Sequence, residues 1–301
     1  MQILRAAVVQ AAPVPFDREP STAKAVDWIG RAAAQGAQLA VFPEAFLSGY
    51  PKYLDFGARV GVRTDEGRAL FRRYYESAID VPGPETELLG DACREHRLHV
   101  VIGVIERDGG TLYCTALFFD AAGTLMGKHR KVMPTAMERL IWGFGDGSTL
   151  AVLDTAIGKI GAAICWENYM PLLRTALYAK GVQLYCAPTV DDRDSWAPTM
   201  RHIAVEGRCF VLSAVQYLRR LDLPDDISAQ LPPSAPEVLI RGGSLIANPF
   251  GKVLAGPDFS GETILTADLN LDEIIEGKYD LDVTGHYARP DIFRFSVNED
   301  A

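Results

Sequence analysis

This sequence predicts a layered α/β fold built on mixed sheets. Two observations carry the prediction. Short apolar runs alternate with helix-like segments along most of the 301 residues, and the middle runs follow one another at hairpin spacing across glycine turns. Composition agrees: 48% hydrophobic and 23% charged residues are enough for a large buried core and too apolar for a disordered chain.

The elements follow in order. ILRAAVVQ (3–10) reads as a strand. A helix then starts at Ser21 or Thr22 and stops at Gly36, with Val26, Ile29 and Ala33 on one face. LAVFP (39–43) is a strand ended by Pro43, and ETELLGDACREHR is a helix with Leu88, Leu89, Ala92, Cys93 and His96 along one side. HVVIGVIE (99–106), TLYCTALFFD (111–120) and TLMGKHR (124–130) read as consecutive strands. LAVLDT, KIGAAIC, LYCAP and CFVLSAV are further strands, with helices from Pro171 to Lys180 and over 195–207 between them. SLIANP, GKVLAG and ETILTADL are the last strands, before a short helix after Leu269. The segment 218–238 has four prolines and little periodicity, and reads as a long loop, either a lid or a plain surface insertion. No repeat or linker divides the chain, so a single domain over 1–301 is expected.

A net charge of −9 argues against a nucleic-acid partner, since phosphate binding needs a concentrated positive face and only KHRK at 128–131 is locally basic. The N-terminal run is broken by Arg5 and Gln10, and no stretch nears the ~20 apolar residues of a membrane helix, so neither a signal peptide nor a membrane span is expected. Five cysteines, at 93, 114, 165, 186 and 209, form no CxxC pair, which points away from a zinc site or a disulfide framework and toward a reducing, cytoplasmic setting.

Three positions stand out chemically. Cys165 closes the apolar run KIGAAIC and precedes polar residues and a proline suited to a helix's first turn. A thiol at such a strand-to-helix junction projects toward a cleft, near amides that can lower its pKa and hold an oxyanion. A lone cysteine is more often a small buried hydrophobe, a description that fits the other four better. The five histidines give no Cys–His signature, so a desolvated carboxylate is the candidate base. Glu44, directly after LAVFP, is one, although a strand-end carboxylate capping the next segment reads equally well. Lys131 ends a strand edge before Pro134, where an ammonium could stabilise developing charge or simply be solvated.

Glu44 in VFPEAFLSGYP, Lys131 in HRKVMPT and Cys165 in AAICWENYMP match, in order and spacing, the Glu-Lys-Cys triad of the nitrilase (carbon–nitrogen hydrolase) superfamily. The chain resembles that superfamily from Gln10 to Phe293. CWENYMPL, PTAMERLIWGFGDGS, DDRDSWAPTMRHIAVEGRCFVLSA and GHYARPDIF look like the branch acting on C≡N. The resemblance adds Glu138 in PTAMERLIWG as a second glutamate; by itself it reads as a surface helix-start carboxylate.

The resemblance implies a four-layer αββα sandwich of two mixed sheets flanked by helices. It also implies hydrolysis of a nitrile to an acid and ammonia. Cys165 would attack the nitrile carbon, Glu44 would move protons, and Lys131 with the Trp166 N–H would stabilise the intermediates. Glu138 would orient Lys131 or water, and no metal or organic cofactor would be needed. Glu167 and Asn168 are expected to be scaffolding. Tyr50, Tyr53, Trp142, Trp166 and Trp196 are candidate aromatic walls, favouring aryl or arylaliphatic nitriles, with core packing the alternative for each. Family members pair into dimers and larger assemblies, so a homodimer or larger homo-oligomer is expected; the chain ends at Ala301, soon after GHYARPDIF, which argues against long filaments but not against a dimer. The alternatives are an amidase or cyanide hydratase with the same triad, a non-catalytic protein keeping the fold, or acyl transfer to an amine.

Overall fold

The apolar runs become strands covered on both faces. In the computed structural model, which describes residues 3–301, the order is β1 (Ile3–Gln10), α1 (Arg18–Ala34), β2 (Leu39–Val41), α2 (Asp65–Ser77), α3 (Pro84–His96), β3 (His99–Asp108), β4 (Thr111–Phe119) and β5 (Leu125–Arg130). The second half runs β6 (Val152–Thr155), β7 (Gly158–Ala162), α4 (Pro171–Ala179), β8 (Leu184–Thr189), α5 (Trp196–Gly207) and β9 (Phe210–Val215). It closes with β10 (Tyr217–Arg219), α6 (Asp225–Ser228), β11 (Val238–Arg241), β12 (Ser244–Ala247), β13 (Val253–Asp258), β14 (Thr263–Asn270) and α7 (Asp272–Asp280). The N-terminal reading, so far as it concerns Met1 and Gln2, lies outside the described residues.

Two six-stranded sheets result, ordered β14-β1-β2-β3-β4-β5 and β13-β12-β9-β8-β7-β6. In the first, β1, β2 and β3 run parallel, with antiparallel β14 on one side and β4 and β5 on the other. The second repeats this pattern: β7, β8 and β9 are parallel, flanked by antiparallel β6 on one side and β12 and β13 on the other. Both are mixed, as expected. The sheets pack face to face, β1 against β9 and β12 and β3 against β8.

Alternation along β1 shows the layering. Leu4, Ala6 and Val8 join the cluster that holds Val211 and Ile246 of the other sheet. Ala7 and Val9 face a separate cluster with Trp28 and Ile29 of α1 and Leu89 of α3. On the far side α5 packs on β9 and β12 and touches α4, completing the αββα order.

Several local expectations shift. Helix α1 begins three residues before Ser21, because the hydroxyls of Ser21 and Thr22 bond to Val14 and Arg18 instead of capping. Its buried face is Ala25, Trp28, Ile29 and Ala32, with Val26 and Ala33 at the margin. Leu88 of α3 is exposed rather than on the buried stripe. Helix α2 is an element the sequence reading does not assign; Thr64 caps it by accepting from the Gly67 N–H, and Tyr74 anchors it in the core. The segment expected as a long loop at 218–238 instead carries β10 paired with β11, a 3-10 turn and α6. Leu218, Leu223, Ile227, Leu231 and Ala235 bury beneath it, so its prolines interrupt periodicity without preventing packing.

Candidate active site

Each candidate sits just beyond a strand's C-terminal end, where side chains leave the sheet. Glu44 follows β2, and its backbone lies so close to Gly103 of β3 that a Cβ at 103 would stand 2.4 Å from the Pro43 carbonyl oxygen and 2.6 Å from Glu44 Cα. Only glycine permits that approach. The Gln216 side-chain amide donates to the Glu44 carbonyl at 2.7 Å, pinning the segment from the second sheet.

Lys131 follows β5 and is buried, as is Glu44. Its ammonium donates to Glu44 Oε1 at 2.7 Å and to Glu138 Oε2 at 2.8 Å. Glu138 lies in a 3-10 turn (Ala136–Leu140) and is itself buried, not on the surface. It also accepts from the Thr135 N–H and, through Oε1, from the Tyr50 hydroxyl at 2.7 Å. Burial works against the Lys131 charge, but Glu44 and its neighbours outweigh it and hold the ammonium well above the ordinary lysine pKa.

Glu44 is asymmetric. Oε1 takes the Lys131 ammonium and faces the Cys114 thiol at 3.5 Å, while Oε2 is buried with no hydrogen-bond partner among the described residues. Burial raises this carboxyl above the ordinary glutamate value, with Glu138 adding to the effect against the pull of Lys131.

Cys165 opens a 3-10 turn (Cys165–Tyr169) inserted between β7 and α4, so the turn, rather than the start of α4, sets its environment. Its φ of 51° is left-handed, a conformation costing a non-glycine residue about 1–2 kcal/mol. Asn168 holds it there, donating to the carbonyls of Ala163 and Cys165. Ala45 beside Glu44 (φ 51°) and Ala136 near Glu138 (φ 47°) share the conformation, so three strained loops converge here. Burial, then Glu44, push the Cys165 thiol well above the usual value while Lys131 pulls it down, so the resting group is a thiol.

Cys165 and Glu138 line a cavity of about 580 Å³; Glu44 and Lys131 stand behind its wall. Among the described residues no three His, Cys, Asp or Glu side chains are grouped to hold a metal ion, and no helix is long and apolar enough to cross a membrane. The cluster combines a thiol, a carboxylate with a free oxygen, and a fixed ammonium.

The description of the carbon–nitrogen hydrolase family matches residues 5–279. The chain belongs to that family. It is 61% identical over 300 residues to an aliphatic nitrilase of Sinorhizobium fredii, covering 100% of this chain and 97% of that one. A bifunctional nitrilase/nitrile hydratase of Nicotiana tabacum is 54% identical, covering 99% of this chain and 87% of its own. Among solved structures, a Saccharomyces cerevisiae member of branch 10 of the nitrilase superfamily superposes with a TM-score of 0.74 at 23% identity, over 95% of this chain and 97% of that one.

In this carbon–nitrogen hydrolase four of the five expected aromatic walls line the cavity. Tyr50 and Trp142 meet edge to face, their ring centres 5.7 Å apart. Tyr53 and Trp166 are partly exposed at the mouth, with the Trp166 indole donating to Asp191 and lying under the Arg193 guanidinium. Trp196 is the exception. It is buried, its indole donates to Ser213 Oγ at 2.8 Å, and it is absent from the cavity lining. Burial together with that internal partner makes it a core residue.

Sequence reasoning also missed several lining groups: Lys52, Asp191, Asp192, Arg193, Met137 and Ile141. The charged ones lie beside quoted motif residues, but nothing in their spacing marks them as facing a cavity.

Proposed function

We propose that this enzyme hydrolyses an organic nitrile to its carboxylic acid and ammonia through a covalent intermediate on Cys165. The observation that carries the reading is the unpartnered Glu44 Oε2, buried in the same cluster as the Lys131 ammonium and the Cys165 thiol.

The thiol proton passes to Glu44 Oε2 as sulfur bonds to the nitrile carbon, and the nitrile nitrogen takes that proton to give a thioimidate. Glu44 then removes a proton from water, whose oxygen adds to the same carbon. Protonated nitrogen leaves as ammonia, forming a thioester. A second water, activated in the same way, releases the acid and returns the proton to sulfur. Lys131 and the Trp166 backbone N–H stabilise negative charge along the path, and Glu138 orients the ammonium. Expelling sulfur instead of ammonia from the first tetrahedral adduct would give the amide, a partition consistent with the double name of the tobacco relative.

A cavity of about 580 Å³ suits a small ligand. The name of the Sinorhizobium relative puts aliphatic nitriles first among substrates to test, ahead of aryl and arylaliphatic ones. The reading includes a single domain over residues 1–301, a cytoplasmic location and a homodimer or larger homo-oligomer, checked by light scattering and cell fractionation. The deciding experiment is a panel of nitriles, amides and cyanide with ammonia release measured, alongside intact-protein mass for an adduct at Cys165. Amide or cyanide turnover exceeding that of every nitrile would overturn the reading.

A further inference from the structure

One buried ion pair takes no part in the steps above. Glu167 is fully buried and accepts three hydrogen bonds: Oε1 from the Val132 N–H at 2.7 Å, and Oε2 from the Ile164 N–H at 2.7 Å and from His129 Nε2 at 2.9 Å. The other His129 nitrogen, Nδ1, faces the Thr149 carbonyl at 3.2 Å. With an acceptor on each side of the ring both nitrogens are placed to donate, and, against the effect of burial, Glu167 raises the His129 pKa and favours the imidazolium.

We propose that Glu167, with His129, is a brace that sets the spacing between Lys131 and Cys165. Val132 directly follows Lys131, and Ile164 directly precedes Cys165. One carboxylate therefore holds the backbone next to the ammonium and the backbone next to the thiol, joining the end of β5 in one sheet to the turn after β7 in the other. His129, two residues before Lys131, adds a third attachment on the β5 side. Neither residue bonds to a reacting side chain: Glu167 holds the backbone N–H groups of Val132 and Ile164 and the His129 ring, so both are positioning residues. A buried ion pair is a poor source of net stability, because desolvation offsets its attraction. What it supplies here is a fixed distance between two groups, one of which sits on a strained left-handed turn.

The proposal rests on the reading of Cys165 as nucleophile and Lys131 as its electrostatic partner. The test is E167Q, which keeps shape but places an amide NH₂ where at least one donor now points. The readouts are kcat and KM on the best nitrile, thermal midpoint, and the pH profile of Cys165 alkylation followed by peptide mass spectrometry. The Cys165 thiol is acted on by Glu44, Lys131, Glu138, Lys52, Arg193 and Tyr50 and by a hydrogen bond with Thr189, and of these Lys131 is the group the brace holds.

The expected result is a fall in kcat of about 100-fold, the effect of a small misplacement of reacting groups, with KM within about twofold. The alkylation profile moves to higher pH, because Lys131 no longer stabilises the thiolate fully. H129Q keeps the two backbone bonds and loses one charge-assisted bond, so its kcat falls about tenfold. Wild-type kcat and an unmoved alkylation profile in E167Q overturn the brace, whatever the thermal midpoint; should E167Q fail to fold, the same result in H129Q does so. Alkylation needs no turnover, so a wild-type chain inactive on every nitrile refutes the proposed function while the profiles still decide the brace.

Discussion

The two sheets share one strand pattern but carry different chemistry at their ends. Each has three central parallel strands with one antiparallel strand on one side and two on the other. The first supplies Glu44 after β2 and Lys131 after β5, with Glu138 seven residues beyond Lys131. The second supplies Cys165 after β7 and the Gln216 amide that holds the Glu44 backbone. The carboxylates and ammonium thus assemble within one sheet, and the thiol arrives only when the sheets pack. A repeated architecture does not repeat a site; the site belongs to the seam.

The largest effect should come from the second sheet's thiol. Cys165→Ala removes the proposed nucleophile and should lower kcat by on the order of 10⁴-fold or more, with no adduct in intact-protein mass and an unchanged circular dichroism spectrum. Retained ammonia release would end the assignment. On the first sheet, Glu44→Gln keeps the volume but removes the proposed base. Its kcat should fall by about 10²- to 10⁴-fold, read by steady-state ammonia release.

Gly103→Ala probes the same sheet without touching a reacting group. Its methyl would collide with Pro43 and Glu44, costing about 1–3 kcal/mol of stability by denaturant unfolding and displacing the carboxylate enough to lower kcat about tenfold or more. Wild-type values on both measures would show that the contact is slack.

Cys114→Ala should act more weakly and through pH. The thiol's hydrogen bond to Glu44 favours the carboxylate form, so its loss raises the Glu44 pKa further. The base works deprotonated, so the acid limb of kcat/KM should move to higher pH; an unmoved or lowered limb contradicts the contact. Trp196→Phe should be smallest. It loses the bond to Ser213, about 1 kcal/mol in thermal or denaturant unfolding, and leaves kcat unchanged. A changed KM would return Trp196 to the cavity.

Much of the fold was legible because periodicity is local. The alternation in β1, the helix after it and the succession of strands over 99–130 all rest on neighbours a few residues apart. Helix α2 escaped because its buried groups are few, chiefly Gly67, Tyr74 and Ser77 among charged residues. The segment at 218–238 misled because prolines break the pattern of residues that nevertheless bury. At the site, Glu44, Lys131 and Cys165 were visible as residue types at strand ends, and the resemblance added Glu138. The Trp196 reading shows the limit: an indole's surroundings depend on what packs across from it, here Ser213, seventeen residues away.

By itself, the sequence determined the order of most elements, the mixed α/β class, the family and the reactive residue types, because each depends on local pattern or motif. Only the tertiary structure decided that Glu44 and Lys131, 87 residues apart, share a hydrogen bond, that Glu138 is buried, and that Glu167 ties both sheets together. Those distances come from how two sheets stack, and stacking is fixed by the summed packing of dozens of side chains, none of which names its partner in the chain.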